Sequence, residues 1–248
     1  MDFRAALTFP FRGQRWLPNL ALVAVCMLIP IIGPMVVLGY GVLVMRLLVA
    51  DLLVQPPQFD FAMFTEHLKR GLPPFVVALI FVPLMFMSIF AMWAASFIGV
   101  LLLVNQSVAL GIAVILAGFL LGLALMVTTG VALAPLTMKA ALEGTIGGAF
   151  DWAFAKDFYR RVGWLTLKIQ LLLFLLALIM LPIGCVPLIG PAAMQSLIVM
   201  MNWNAHAQLY REYLARGGRT LNIPLELFPP PIVYGFPTSP TAPPPPHH

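Results

Sequence analysis

The chain has 248 residues, of which 61% are hydrophobic and 9% charged, with a mean hydropathy of +0.98 and a formal net charge of +5. A soluble domain carries about 25% charged residues, and a folded globule still has to cover its surface with polar groups, so this composition excludes an ordinary water-soluble fold. The basic surplus flanks apolar stretches, where it sets membrane orientation, and this excludes nucleic acid as the partner that a positive charge would otherwise suggest.

Taken in chain order, the first uncharged stretch lies between Arg15 and Arg46 and holds 30 residues without Asp, Glu, Lys or Arg. A span needs about 20 apolar residues. The motif IPIIGP at 29–34 divides this stretch into a short first span over residues 16–32 and a second from about Met35 to residue 54. Arg46 and Asp51 then fall in the last turns of the second span, where a long basic side chain is expected to snorkel to the interface. Two crossings are favoured over a re-entrant hairpin. Because Arg4, Arg12 and Arg15 precede a segment that continues into further apolar spans, the first span is expected to stay in the mature protein rather than leave as a signal peptide.

The next uncharged stretch, between Arg70 and Lys139, is 68 residues long, with Asn105-Gln106-Ser107 as its turn. Pro83 and Pro135 are expected to kink its two spans. Gly111, Gly118 and Gly122 form a stripe that includes GxxxG and allows close helix packing, within the protein or against a partner. A third stretch of 42 residues separates Lys168 from Arg211 and is broken by LPIGCVPLIGP at 181–191. Its second half carries Asn202, Trp203 and Asn204, read as an interfacial polar-aromatic band, and then His206. Beyond residue 220, nine of residues 229–248 are proline, which predicts an extended cytoplasmic tail rather than a helix.

An amphipathic segment of one form precedes each stretch. Asp2 is followed ten residues on by Arg12, Asp60 by Arg70, and Asp151 by Arg161. FDFAMFTEHLKR at 59–70 aligns without gaps on FDWAFAKDFYRR at 150–161, and IPIIGP matches VPLIGP at 186–191. The chain therefore reads as an all-α, polytopic transmembrane bundle of about six spans. Its three units of interfacial helix plus hairpin cover about 2–54, 59–138 and 150–216, within a membrane domain over 1–220 and ahead of the tail at 221–248. In each unit the Asp is placed to cap a helix start and the Arg to sit in its last turn, where the helix dipole favours a cation. The turns at 30–34, 99–107 and 182–191 contain no charged residue, and all 14 Lys and Arg lie on the opposite face with the 9 Asp and Glu. The excess of basic residues marks that face as cytoplasmic, which puts both termini there in a bacterial inner membrane.

Candidate chemistry is sparse. Cys26 and Cys185 fit no disulfide framework or metal spacing; they could pair if the two turns meet, and two buried free thiols are the favoured reading. No Walker loop, GxSxG, HExxH or paired histidines occur, so no catalytic or metal-ligating residues are assigned. His206 is the single candidate cofactor ligand, for haem, chlorin or quinone; the plainer reading is an imidazole hydrogen-bonded to Asn202 or a neighbouring helix. His67 is expected to be solvated.

FPFR…W…IPIIGP…GYGV near the N-terminus, FDFAMFTEHLKRG after the first hairpin and the late PLIGP resemble the bacterial and archaeal membrane family known as domain of unknown function 4013, over roughly residues 2–216. That resemblance implies a multi-span membrane protein and supplies no activity, cofactor or site residues. The leading functional expectation is a non-catalytic accessory or scaffold subunit of a larger membrane complex, which meets the bilayer and other membrane proteins, packs through its transmembrane helices and docks with its Pro-rich tail. The alternatives are a transporter or lipid-handling protein with a cavity lined by Asn105, Gln106, Thr128, Thr129 or His206, and a pigment- or haem-binding subunit.

Overall fold

A computed structural model describes residues 2–13, 15–53, 55–105, 107–187 and 189–223; the Pro-rich tail and Gln106 lie outside the described residues. The fold is all-α, with no strand among the described residues. In chain order the α-helices are α1 (Phe3–Thr8), α2 (Trp16–Met27), α3 (Ile32–Val49), α4 (Phe64–Asn105), α5 (Val108–Glu143), α6 (Trp152–Ile179), α7 (Leu181–Gly184) and α8 (Ile189–Ala215), with short 3-10 turns before α4 and α6 and after α1.

Among the described residues four segments are long and apolar enough to cross a membrane: Ile32–Val49, Phe61–Leu103, Val108–Glu143 and Trp152–Ile179. They mark the chain as a membrane protein. The expected first span over 16–32 is instead the 12-residue α2, about 18 Å long at 1.5 Å per residue, which is short of a hydrocarbon core about 30 Å thick. The second span likewise ends at Val49 rather than 54. The last helix, α8, is long enough at 27 residues, but Gln195, Asn202, Asn204, His206 and Gln208 keep it from being uniformly apolar.

Two of the three amphipathic segments are not separate interfacial helices. The second runs through Arg70 and Gly71, and on through Pro73, Pro74 and Pro83, into the 42-residue α4. The third begins at Trp152 and continues past Arg161 into α6 without a break. Arg70 and Arg161 therefore sit inside helices rather than in last turns, and the expected interaction with a helix C-terminus does not arise. Proline inside a membrane helix is tolerated where neighbouring groups satisfy the freed carbonyls. Only the first unit keeps a short separate helix, α1, with Arg12 capping the 3-10 turn that follows it.

The two GP turns fold alike. The Ile32 and Ile189 amides donate to Pro30 and Pro187, and the Gly33 and Gly190 amides to Ile29 and Val186. Glycine is required in both, because a Cβ on Gly33 would lie 1.9 Å from the Cys26 carbonyl oxygen and one on Gly190 would lie 2.0 Å from that of Ile183. The carbonyl in each case belongs to the residue seven positions earlier. Both cysteines near these turns are free, Cys26 buried and Cys185 exposed, so the expectation of two buried thiols fails at Cys185, which sits at the tip of its turn.

The glycine stripe packs within the chain. Gly111, Gly118 and Gly122 face α4: added Cβ atoms would come within 2.7 Å of the Gly99 carbonyl oxygen, 2.0 Å of Ala95 Cβ and 2.0 Å of Met92 Cγ respectively. The seam pairs Ser88, Met92, Ala95 and Gly99 of α4 with Gly111, Ile115, Gly118 and Gly122 of α5, at 4-3-4 spacing on both sides. Small side chains on both helices let the backbones approach, which is how association is stabilised where lipid removes the hydrophobic driving force.

Candidate functional site

Three consecutive residues of α3 tie the charged end of the bundle together. Gly39 lies against α4, where an added Cβ would come within 1.6 Å of the His67 carbonyl oxygen, and Gly71 reciprocates against the Met35 carbonyl oxygen at 1.8 Å. Gly41 lies against the Trp203 indole of α8. Between them the Tyr40 hydroxyl donates to the Pro57 carbonyl at 2.6 Å and accepts from the Asn19 amide at 3.1 Å. Asn19 in turn accepts from the Phe59 backbone N–H at 2.7 Å. One turn of α3 thus fixes α2, α4, α8 and the loop before α4.

Arg46 of α3 and Arg70 of α4 both carry buried guanidinium nitrogens without a hydrogen-bond partner. Arg46 does not snorkel: it is 1% exposed, and its Nε and Nη1 have no hydrogen-bond partner. Arg70 is half-buried, with its Nε and Nη1 equally unpartnered. Among the described residues the ion pairs engage Lys69, Lys139, Arg161, Arg211, Arg216 and Arg219, and neither of these two. His67, one turn before Arg70, is buried rather than solvated, because Phe59 stacks on its ring at 5.5 Å and Tyr40 meets it edge-on at 5.8 Å.

The polar band of α8 is interior, not an interfacial belt, since Trp203 and Asn204 are buried and Asn202 is half-buried. Gln208 donates to Asn204 at 2.8 Å and to the Asp2 carbonyl, and accepts from the Asp2 amide at 2.8 Å, which ties α1 to α8. His206 is 4% exposed, and neither ring nitrogen has a partner. The expected bond to Asn202 is absent, as Asn202 Oδ1 is itself unpartnered; the Trp203 ring stands edge-on to the imidazole at 6.1 Å. An open cleft of about 550 Å³ lies nearby, lined by Asp2, Arg12, Asn204, Gln208, Arg211 and Glu212 among others. Thr128 and Thr129 do not line it: Thr128 is exposed, and Thr129 donates to its own helix at Leu125.

The three aspartates occupy helix starts, where Asp2 accepts from Ala5, Asp60 from Ala62 and Asp151 from Phe154 backbone N–H groups. Asp151 does more. It accepts from Lys139 at 2.8 Å and from Arg219 at 2.5 Å, joining α5, α6 and the segment after α8. The Lys139 hydrogen bond, the Phe154 N–H and Arg219 hold its carboxyl well below the usual carboxylate range. Arg161 pairs with Asp157 at 2.9 Å and contacts the Arg216 carbonyl, while Asp157 accepts from the Tyr213 hydroxyl at 2.7 Å. Among the described residues no group of three or more His, Cys, Asp or Glu is placed to hold a metal ion.

The profile of DUF4013, described as a protein of unknown function, matches residues 22–201. The chain belongs to that family. No curated protein and no solved structure matches it. The DUF4013 match runs from within α2 to within α8, so it takes in the GYG crossing, Arg46, His67, Arg70 and Asp151, and leaves Asp2, Arg12 and His206 outside. Sequence reasoning passed over Asn19, Tyr40 and the burial of Arg46. The available signal for the last was Arg46 itself, a cation placed three residues before the end of an otherwise charge-free helix.

Proposed function

We propose that this protein is a non-catalytic accessory or scaffold subunit of a larger membrane complex, and that the α4–α5 hairpin is its docking arm. A single feature carries this reading. On the face of α4 turned away from α5, Phe86, Phe90, Trp93 and Phe97 form an aromatic stripe at 4-3-4 spacing, each residue more than half exposed. Trp93 and Phe97 stack at 6.2 Å with their planes 6° apart. This is the spacing with which one helix presents a seam to another, and it repeats on the outer side the register that α4 uses for α5. Aromatic side chains offer large contact area with few rotatable bonds, so docking them costs little conformational entropy.

In this reading each of the three hairpins enters the membrane from the charged face and returns to it, with both termini cytoplasmic. The helix α4, about 63 Å long at 1.5 Å per residue, is about twice the hydrocarbon thickness, so it extends beyond the lipid core.

The test is purification from native membranes in mild detergent. A defined membrane-protein partner is expected to co-purify, and the combined substitution Phe90→Ala, Trp93→Ala and Phe97→Ala should release it without altering the thermal unfolding of the isolated chain. A monodisperse monomer, indifferent to these substitutions, would sink the proposal.

A further inference from the structure

We propose that the outer face of α6 holds an anionic phospholipid, with its headgroup between Arg160 and Lys168 and its acyl chains along the apolar side chains below. The inference is independent of the docking arm, which belongs to α4. Successive side chains of a helix are about 100° apart, so Arg160, Trp164, Lys168, Leu171, Leu175 and Ile179 fall within about 100° of arc. All six are exposed, Trp164 at 69% and Ile179 at 76%. The far side of the helix packs into the core through Val162, Ile169 and Leu173. One exposed face therefore changes from cationic to apolar at Lys168, which is also the last charge before the 42-residue uncharged stretch.

The height of this change matches a headgroup layer. From Trp164 to Cys185, exposed at the tip of the far turn, the chain is about 31 Å long at 1.5 Å per residue, close to the ~30 Å of a hydrocarbon core. Trp164 then stands at the near boundary, where tryptophan is favoured. Lys168, one turn deeper, reaches back toward that boundary: its ammonium lies over the Trp164 ring, 5.5 Å from the centroid, as a snorkelling lysine does. Arg160 stands one turn above, so the two cations bracket the indole. Neither has a counter-charge. Among the described residues no ion pair engages Arg160 or Lys168, and the nearest acid in the helix, Asp157, is taken by Arg161 and the Tyr213 hydroxyl. A lipid phosphate supplies the missing charge at that height, and arginine and lysine both bind phosphate. The chains of the same molecule then cover Leu171, Leu175 and Ile179, an apolar contact that an acidic peptide would not make.

Full-length protein, stripped of lipid in a neutral maltoside detergent, should be titrated with phosphatidylglycerol and with phosphatidylcholine of the same acyl chains. Binding is read by native mass spectrometry and by the shift in thermal unfolding. Saturable binding that prefers phosphatidylglycerol is expected. A cation beside an anionic lipid surface contributes about fivefold, so Arg160→Gln combined with Lys168→Gln should weaken phosphatidylglycerol by about tenfold to thirtyfold and leave phosphatidylcholine unchanged. Both side chains are exposed and unpaired, so this double variant should unfold in detergent alone at the temperature of the parent. If it fails to fold, Arg160→Gln alone carries the test, with a loss of about fivefold. Lys168→Arg keeps the charge and should keep the preference. Lys156→Gln, about two turns above Trp164 and turned off the arc, should keep it too. Equal binding of the two lipids, a preference that survives the double substitution, or one that Lys156→Gln lowers as far, overturns the proposal. So does an acidic protein that co-purifies and is released by the double substitution while phosphatidylglycerol binding persists.

Discussion

Gly41 of α3 lies directly beneath the indole of Trp203 of α8, so closely that a Cβ on Gly41 would stand 1.9 Å from Trp203 Nε1. Two positions earlier Gly39 meets backbone rather than side chain, with the His67 carbonyl oxygen 1.6 Å from its would-be Cβ. A ring can swing and a helix backbone cannot. Gly39→Ala is therefore expected to destabilise more than Gly41→Ala, which itself should cost about 1–3 kcal/mol as an overpacked substitution. Gly147→Ala, where nothing lies within 4 Å of the added atom, is the control and should leave thermal unfolding in detergent unchanged. Equal effects at all three positions would show that α3 does not cross its neighbours in this way.

Gly118→Val tests what the glycine stripe is for. Its Cβ would collide with Ala95 Cβ at 2.0 Å inside the α4–α5 hairpin. The expected outcome is loss of thermal stability with the oligomeric state, read by light scattering, unchanged. A change of oligomeric state without loss of stability would assign the stripe to an interface between chains instead.

The class of fold was legible in the sequence because apolar runs and proline-glycine breaks act locally. The matched turns at 29–34 and 186–191 show it: prolines and a glycine at the same positions produce the same amide-to-carbonyl bonds. The ends of the amphipathic segments were not legible. Gly71 with Pro73 and Pro74 reads as a stop, yet Gly71 is needed for the close approach to Met35, and packing against α3 carries the helix on. Burial was the other blind spot. His67 and Arg46 carry ordinary surface chemistry, and only the pairing of α3 with α4, decided by Gly39 and Gly71, turns them inward.

His206 offers a test that runs against habit. Its ring is buried, and both nitrogens lack partners, so the imidazole is held in the interior without compensation. Replacing such a group by an apolar one of similar volume removes a desolvation penalty. His206→Leu should therefore leave thermal unfolding unchanged or raise it, and the purified protein should show no visible absorption band that the substitution abolishes. A marked loss of stability together with loss of a band would identify the imidazole as a cofactor ligand.

Asp151 sets an expected dependence on pH. Its carboxyl accepts from Lys139, from the Phe154 backbone and from Arg219, and all three favour the charged form, so its affinity for a proton is lower in the folded chain than in the unfolded one. A group whose folded pKa is depressed contributes stability that is fully present above its unfolded value, near 3.9 for an aspartate. That stability is lost as the pH falls through the folded value. Between pH 7 and 5 Asp151 therefore adds no pH dependence, and below about pH 4 its contribution declines. Asp151→Asn should lower stability at neutral pH, where it leaves the buried Lys139 with Glu143 at 3.9 Å as its one remaining carboxylate among the described residues, and should flatten the acid limb of the stability curve. The Lys139 side chain is 8% exposed and that of Asp151 26%, so the loss should exceed the ~0.5 kcal/mol of an exposed pair and stay below the ~3–5 kcal/mol of a fully buried one. Thermal unfolding of both proteins from pH 3 to 7 measures this, and an acid limb equally steep in the variant would place the responsible carboxylate elsewhere.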